Sequence, residues 1–390
     1  MSMNTFELDK TYIAGTYKRF PIEIVSGKGS LVKDADGKEY IDMGSGIAVT
    51  SFGVADEDWI AAVEKQIRSV QHMSNLYYTA PCAKLAEALC RKTGMAKVFF
   101  SNSGAEANEC AIKAARKWAA ENKGPACSTI VTLENSFHGR TLTTLSATGQ
   151  EHYHELYQPL TPGFASFPAG NLDALKKLCA GGTVAAVMIE CVQGEGGVVA
   201  LDPVFVRELA AWLKEQEILL MVDEVQTGNG RTGTMYAYMQ YGLHPDVVST
   251  AKGLAGGLPM GATLLSEKLK DVFSYGDHGS TFGGNPVAAA AALSVVSRLT
   301  DDFLANVRKK SELLRGLLQD APGIEALSGL GLMVGIKTTR PASEVVADCM
   351  QNGVLCLTAK DKVRLLPALN IPDELLIRAA DVIKAACAKA

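Results

Sequence analysis

Lys252 sits between the apolar run Pro245-Asp246-Val247-Val248-Ser249-Thr250-Ala251 and the stretch Gly253-Leu254-Ala255-Gly256-Gly257. A lysine at the end of a buried strand is costly to keep charged, so burial either lowers its pKa or favours a covalent link that removes the charge. An imine to an aldehyde does the latter. Asp223 closes another short apolar run, Ile218-Leu219-Leu220-Met221-Val222, as expected at the C-terminal end of an inner parallel strand. Ligand crevices of open α/β sheets lie outside such ends. A carboxylate there can hold a pyridine nitrogen protonated, and Gln226, three residues on, is in reach of a phenolic oxygen. Taken singly, these residues read as a turn-capping Asp and a surface Lys; together they look like a site for pyridoxal phosphate.

Further residues gather at other strand ends. Val98-Phe99-Phe100 runs into Ser101-Asn102-Ser103-Gly104-Ala105-Glu106, then a helix with Ala107, Ala111, Ala114 and Trp118 on one face. Free N–H groups and the positive end of the helix dipole make an anion site there, which Gly104 would let a phosphate approach closely. Ser103 and Glu106 also fit a plain capping box. In Asn135-Ser136-Phe137-His138-Gly139-Arg140-Thr141, Phe137 is placed to stack on a flat ring and Arg140 to hold a carboxylate by two parallel hydrogen bonds. His138 has no identifiable partner and reads as structural. Glu190 closes the strand before Gly194-Glu195-Gly196-Gly197; it is a candidate partner for Arg140, and Glu195 for another cation.

The elements that must carry these residues alternate. Helical patterns run from Trp59 to Val70 and from Ala80 to Thr93, and strands are expected at 97–100, 129–132, 184–189, 218–222 and 247–250. The alternation predicts an α/β fold, a mostly parallel sheet between helices. A hairpin around an Asp-Gly turn is expected within 29–42. The organisation read from this is an N-terminal segment (1–54) belonging to a small α+β domain, a large cofactor-binding domain (55–284) and the C-terminal part of the small domain (285–390).

Composition narrows the partners. At 390 residues the chain is long enough to divide into domains. Its 47% hydrophobic content and net charge of -4 lack the basic excess that binding a phosphate backbone requires, so no nucleic acid is expected. The alanine-rich run Val287–Val296 is about half the roughly 20 residues needed to span a bilayer and reads as a buried helix. The opening residues lack a secretory pattern, and a cytoplasmic location is expected. Nine scattered cysteines, with no C-x-x-C pair, suggest neither a metal site nor a disulfide framework.

Six runs in order, SNSGAEANECAIKAARK, SFHGRTLTTLSATGQ, ECVQGEGGV, DEVQTGNGRTG, AKGLAGGLPMGA and HGSTFGGNP, resemble the class III, fold-type I aminotransferases that use pyridoxal phosphate. The opening YKRFPIEIVSGKGSLVKDADGKEYIDMGSGIAV, HMSNLYYTAP and the late VRLLPALNI resemble the acetylornithine aminotransferases most closely. The resemblance spans nearly the whole chain and implies a large domain with a seven-stranded-type sheet. It implies Lys252 as Schiff-base lysine and Asp223 as partner of the pyridine nitrogen. Ser103, Gly104 and Ala105 would bind the phosphate, Phe137 the ring and Gln226 the phenolic oxygen, with Glu224 and Val225 lining the same turn. Thr281 would reach the phosphate in a second copy of the chain and Ser280 would touch substrate there, so a homodimer is implied. Arg140 is implied as the α-carboxylate receptor and Arg364 as a second one, masked by Glu195 unless glutamate or 2-oxoglutarate displaces it.

The activity implied is transfer of the terminal amine of N-acetylornithine to 2-oxoglutarate. Alternatives are succinylornithine or succinyl-diaminopimelate as donor, and, less favoured, ornithine or 4-aminobutyrate; Gly44-Ser45-Gly46-Ile47 has no tyrosine of the kind ornithine enzymes tend to carry. An aminomutase or decarboxylase on the same fold would not need 2-oxoglutarate, and a regulator would need a DNA-binding pattern that Met1–Tyr40 lacks. Two positions depart from the family pattern: Cys191 stands where proline is usual, and Ala255 interrupts a glycine run.

Overall fold

The computed structural model describes residues 3–389. At its centre is a seven-stranded sheet in the order Lys97–Ser101, Gly261–Leu265, Val247–Thr250, Leu219–Asp223, Val184–Ile189, Thr129–Leu133, Phe164–Phe167. Gly261–Leu265 runs antiparallel to both neighbours; the other pairings in the sheet are parallel. Every residue of Val184–Ile189 and Leu219–Asp223 is buried, which is why these strands read as unbroken apolar runs rather than alternating ones. The five strands expected from the sequence are present within a residue at either end. Two others were not legible. Phe164–Phe167 is a four-residue edge strand, and Gly261-Ala262 opens its strand directly after a Gly/Pro-rich loop, where the residues carry a turn signal.

Helices cover both faces. Gly104–Lys123 lays Ala107, Ala111, Ala114, Ala115 and Ala119 against the sheet, small side chains that let helix and sheet approach closely. On the other face Pro286–Arg298 is mostly buried and packs on Glu57–Ile67 and Ala80–Thr93. Each fully buried Val, Leu or Ile there contributes about 1.5–3 kcal/mol. No helix among the described residues is long and apolar enough to cross a membrane.

Two four-stranded sheets flank this core. In one, Ile24–Lys28, Leu31–Asp34 and Glu39–Asp42 are joined in parallel by Val354–Leu355, so early and late parts of the chain share a sheet. Its hairpin turns at Asp34, whose Oδ1 accepts from the N–H groups of Asp36 and Lys38 at 3.1 and 2.8 Å. The other has the order Ile324–Leu330, Met333–Thr338, Lys362–Leu365, Leu357–Ala359. Buried Arg231, from the loop after Asp223, donates to the carbonyls of Leu332 and Pro367 at 3.1 and 2.5 Å. That clamp ties the start of Met333–Thr338 and the exit of its neighbour Lys362–Leu365, the strand carrying Arg364, to the loop after Asp223.

Candidate active site

The carboxyl ends of the parallel strands open on a cavity of about 450 Å³ lined by Ser103, Gly104, Ala105, Asn108, Phe137, His138, Arg140, Glu190, Glu195, Asp223, Val225, Gln226 and Lys252, among others. Most residues singled out from the sequence therefore converge, because each follows the end of a strand pointing the same way.

Lys252 follows Val247–Thr250 in the left-handed backbone region, φ 43°, and is half-buried. Burial lowers its pKa below the ordinary lysine value, although Glu195 and Asp223 favour the charged form. Asp223 is buried and fully engaged: its Oδ1 accepts from Val225 N–H at 2.9 Å, and its Oδ2 meets Asn108 Nδ2 and His138 Nδ1, each at 2.8 Å. His138 thus has the partner that local sequence did not reveal. Burial disfavours a charge on its ring, yet the hydrogen bond and charge of Asp223 outweigh this and raise its pKa above the usual value. Asn108 was not singled out either. It lies four residues after Gly104, on the same side of the helix, and its Nδ2 also donates to His138 O at 2.8 Å.

The helix Gly104–Lys123 begins at the cavity with Ser103 as its cap; Ser103 Oγ accepts from Glu106 N–H at 3.2 Å. The Glu106 carboxylate does not return to the cap residue's own N–H, as a capping box would have it, but accepts from Asn102 N–H at 2.6 Å. The N–H groups of Gly104 and Ala105 find no acceptor among the described residues and remain available to an anion. Glycine at 104 has a more immediate cause than phosphate approach. A Cβ there would lie 2.7 Å from Val225 Cγ1, so this helix start and the turn after Asp223 could not pack together with any other residue.

Two expectations, for Glu190 and Glu224, are corrected. Glu190 is not the partner of Arg140: its Oε2 accepts from Phe137 N–H at 3.0 Å, at the buried wall of the cavity. Burial pushes its carboxyl up from the ordinary range, against the opposing charge of His138. Glu224 turns away from the cavity, with Thr227 Oγ1 donating to it at 2.6 Å and Tyr238 N–H at 2.8 Å. Burial raises its pKa to about 7. Glu195 meets Arg364, whose Nη1 donates to Glu195 Oε1 at 2.5 Å. Gln226 bridges the pair, its Nε2 3.3 Å from Glu195 Oε1 and its Oε1 3.3 Å from Arg364 Nη1. Burial works against the Glu195 charge, but Arg364 outweighs it and holds the carboxyl below its usual pKa. Ser280 and Thr281 stand apart from the cavity; Ser280 Oγ accepts from Asn102 Nδ2 at 3.1 Å and Thr281 is exposed. Cys191 is buried, its carbonyl accepting from Tyr241 Oη at 3.2 Å.

The residues fit pyridoxal phosphate on their own chemistry: a lysine made less basic, a triply held carboxylate, an aromatic edge and two free N–H groups around one cavity. Comparison with known proteins agrees. The family model "Aminotransferase class-III" matches residues 12–387. The chain belongs to the class-III aminotransferases. Its cofactor is pyridoxal phosphate, in keeping with its class. An acetylornithine aminotransferase of Haemophilus ducreyi is 49% identical over 97% of this chain and 96% of its own length; one from Methanocaldococcus jannaschii is 41% identical over 97% and 98%. Among solved structures, N-acetylornithine aminotransferase of Stenotrophomonas maltophilia superposes with a TM-score of 0.83 at 34% identity, covering 95% of this chain and 96% of that one. Ornithine aminotransferase of Toxoplasma gondii, described with partial occupancy of pyridoxal phosphate at its active site, reaches 0.92 at 31% identity, covering 98% and 93%.

Proposed function

We propose that this aminotransferase moves the terminal amino group of N2-acetyl-L-ornithine to 2-oxoglutarate, giving N-acetylglutamate 5-semialdehyde and L-glutamate, a step of arginine biosynthesis. The observation that carries the donor is the 49% identity with an acetylornithine aminotransferase over nearly the full length of both chains. The Glu195–Arg364 pair supports it, since a covered cation suits a donor whose distal end is uncharged and an uncovered one suits a dicarboxylate acceptor.

Bound pyridoxal phosphate supplies an aldehyde carbon for the amine and a ring that draws electrons from the carbon being deprotonated. Asp223 directs a fixed negative charge at the ring nitrogen, and His138, Asn108 and Val225 N–H prevent it from turning away. The amine of Lys252 would take a proton from the substrate carbon and return it one position along, a task suited to the lowered pKa that burial confers. Gly104 and Ala105 would hold the phosphate by their N–H groups, with Ser103 shaping that helix start, and Phe137 would pack on the ring. Gln226 would reach the phenolic oxygen, and Val225 lines the same turn. Arg140 receives the α-carboxylate, and Arg364 the distal one once Glu195 moves aside. Ser280 and Thr281 serve the site of a second copy, so the working unit is a homodimer. Glu224 supports the turn from below rather than touching the cofactor.

The test is glutamate formation from 2-oxoglutarate with N-acetylornithine, N-succinylornithine, ornithine and 4-aminobutyrate, using the Lys252→Ala variant as blank. Preference for N-acetylornithine is expected. A clear preference for another donor would refute the assignment while keeping the chemistry, and activity undiminished in the blank would refute the role of Lys252.

A further inference from the structure

Arg140 is exposed at the cavity mouth and, among the described residues, makes no ion pair or hydrogen bond. It is nonetheless not loose. Its guanidinium carbon lies 4.3 Å from the ring centroid of Tyr153 and 5.5 Å from that of Phe137. The two rings stand edge to face, 6.0 Å apart at 72°. We infer that Tyr153 is a positioning residue for carboxylate recognition: it holds the face of the Arg140 guanidinium so that its N–H edge stays free for substrate.

The choice of an aromatic partner carries the argument. A carboxylate beside Arg140 would occupy the in-plane donors that a substrate carboxylate needs, whereas a ring takes only the face and leaves the fork open. Glu190, the nearby acid, is instead held at Phe137 N–H. Tyr153 is itself placed by the loop after Arg140 folding back on the loop before it. It ends a single turn, Glu151–Tyr153. Upstream of that turn Gln150 Nε2 donates to Ser136 O at 3.0 Å, Gly149 N–H to Ser136 Oγ at 3.0 Å, and His138 N–H to Thr148 Oγ1 at 3.0 Å. Gly139 aims the arginine: at φ +139°, where a Cβ would lie 2.9 Å from Ala105 Cβ, the chain passes close over the helix start and turns Arg140 outward to the ring. Without Tyr153 the long side chain would sample many rotamers and lose that freedom on each binding event.

The inference rests on Arg140 as carboxylate receptor, and the experiment separates the two. In Tyr153→Leu, KM should rise about twofold to fivefold, the range of an exposed cation–π contact, for the amino donor and 2-oxoglutarate alike, with kcat little changed. Tyr153→Phe, which keeps the ring, should restore both KM values. In an Arg140→Ala background Tyr153→Leu should add nothing. Unchanged KM values in Tyr153→Leu, a Phe variant as impaired as Leu, or additive losses in the double variant would each overturn the positioning role while leaving Arg140 as receptor. Unchanged KM values in Arg140→Ala itself would refute the receptor and the inference together.

Discussion

Glu195→Gln removes one charge from a pair whose two ends are unequally exposed, and the consequence can be sized. Arg364 is 3% exposed and its Nε is buried without a hydrogen-bond partner, so Glu195 and Gln226 carry its compensation. Breaking a fully buried pair costs about 3–5 kcal/mol. The Glu195 side chain is 30% exposed, and glutamine keeps an acceptor oxygen, so about 1–3 kcal/mol is the reasonable range. At 1.4 kcal/mol per tenfold, that is about fivefold to 150-fold in an equilibrium constant. It should divide by substrate. A dicarboxylate brings the missing charge and no longer has to displace Glu195, so 2-oxoglutarate should show an unchanged or lower KM. A donor with an uncharged distal end must lie against an uncompensated guanidinium, so its KM should rise at least about fivefold. Thermal melting gives an independent reading: the variant should melt lower than the parent when free of substrate, and saturating 2-oxoglutarate should close the gap. Equal changes in KM for both substrates, with no differential recovery on melting, would refute the account of Arg364 as a cation alternately covered and used.

Two further outcomes follow from groups outside the reacting centre. The folded pKa of Glu224 is raised from its ordinary 4.5 to about 7, so the folded state binds this proton more tightly; the contribution is whole below about pH 4.5 and is lost as pH rises through 7. The difference is worth about 3 kcal/mol, so the stability gap between the parent and Glu224→Gln in urea titrations should change by that order between pH 4.5 and 8, and a gap independent of pH would refute the burial argument. Gly104→Ala should weaken cofactor retention, measured by absorbance after dialysis, because its Cβ would meet Val225 Cγ1 at 2.7 Å. Adding Val225→Ala should recover most of the loss; no recovery would place the fault elsewhere than in that contact.

How much of this site could be read in the sequence depended on how far each residue acts from its own strand. Lys252, Asp223 and the Gly104 helix start were legible because an apolar run of known direction delivers them to one edge, whatever surrounds it. The layer beneath was not, since His138 reaches Asp223 across 85 positions of chain and no local pattern records that register. Glu190 was assigned the wrong partner for the same reason: standing at a strand end fixes its position but not its orientation, and its carboxylate turns to Phe137 N–H. Asn108 is the instructive case. Once Gly104 is taken as the first helical residue, the 3.6-residue period carries position 108 back to the same face one turn later, over the crevice that Asp223 enters from the sheet. A polar amide on a helix face otherwise made of Ala107, Ala111 and Ala114 is a costly choice unless a buried partner waits for it. The partner is the same carboxylate that the strand pattern had already identified. Asn108 could therefore have been found by asking which polar residue interrupts the alanine face of the helix that begins at the cavity.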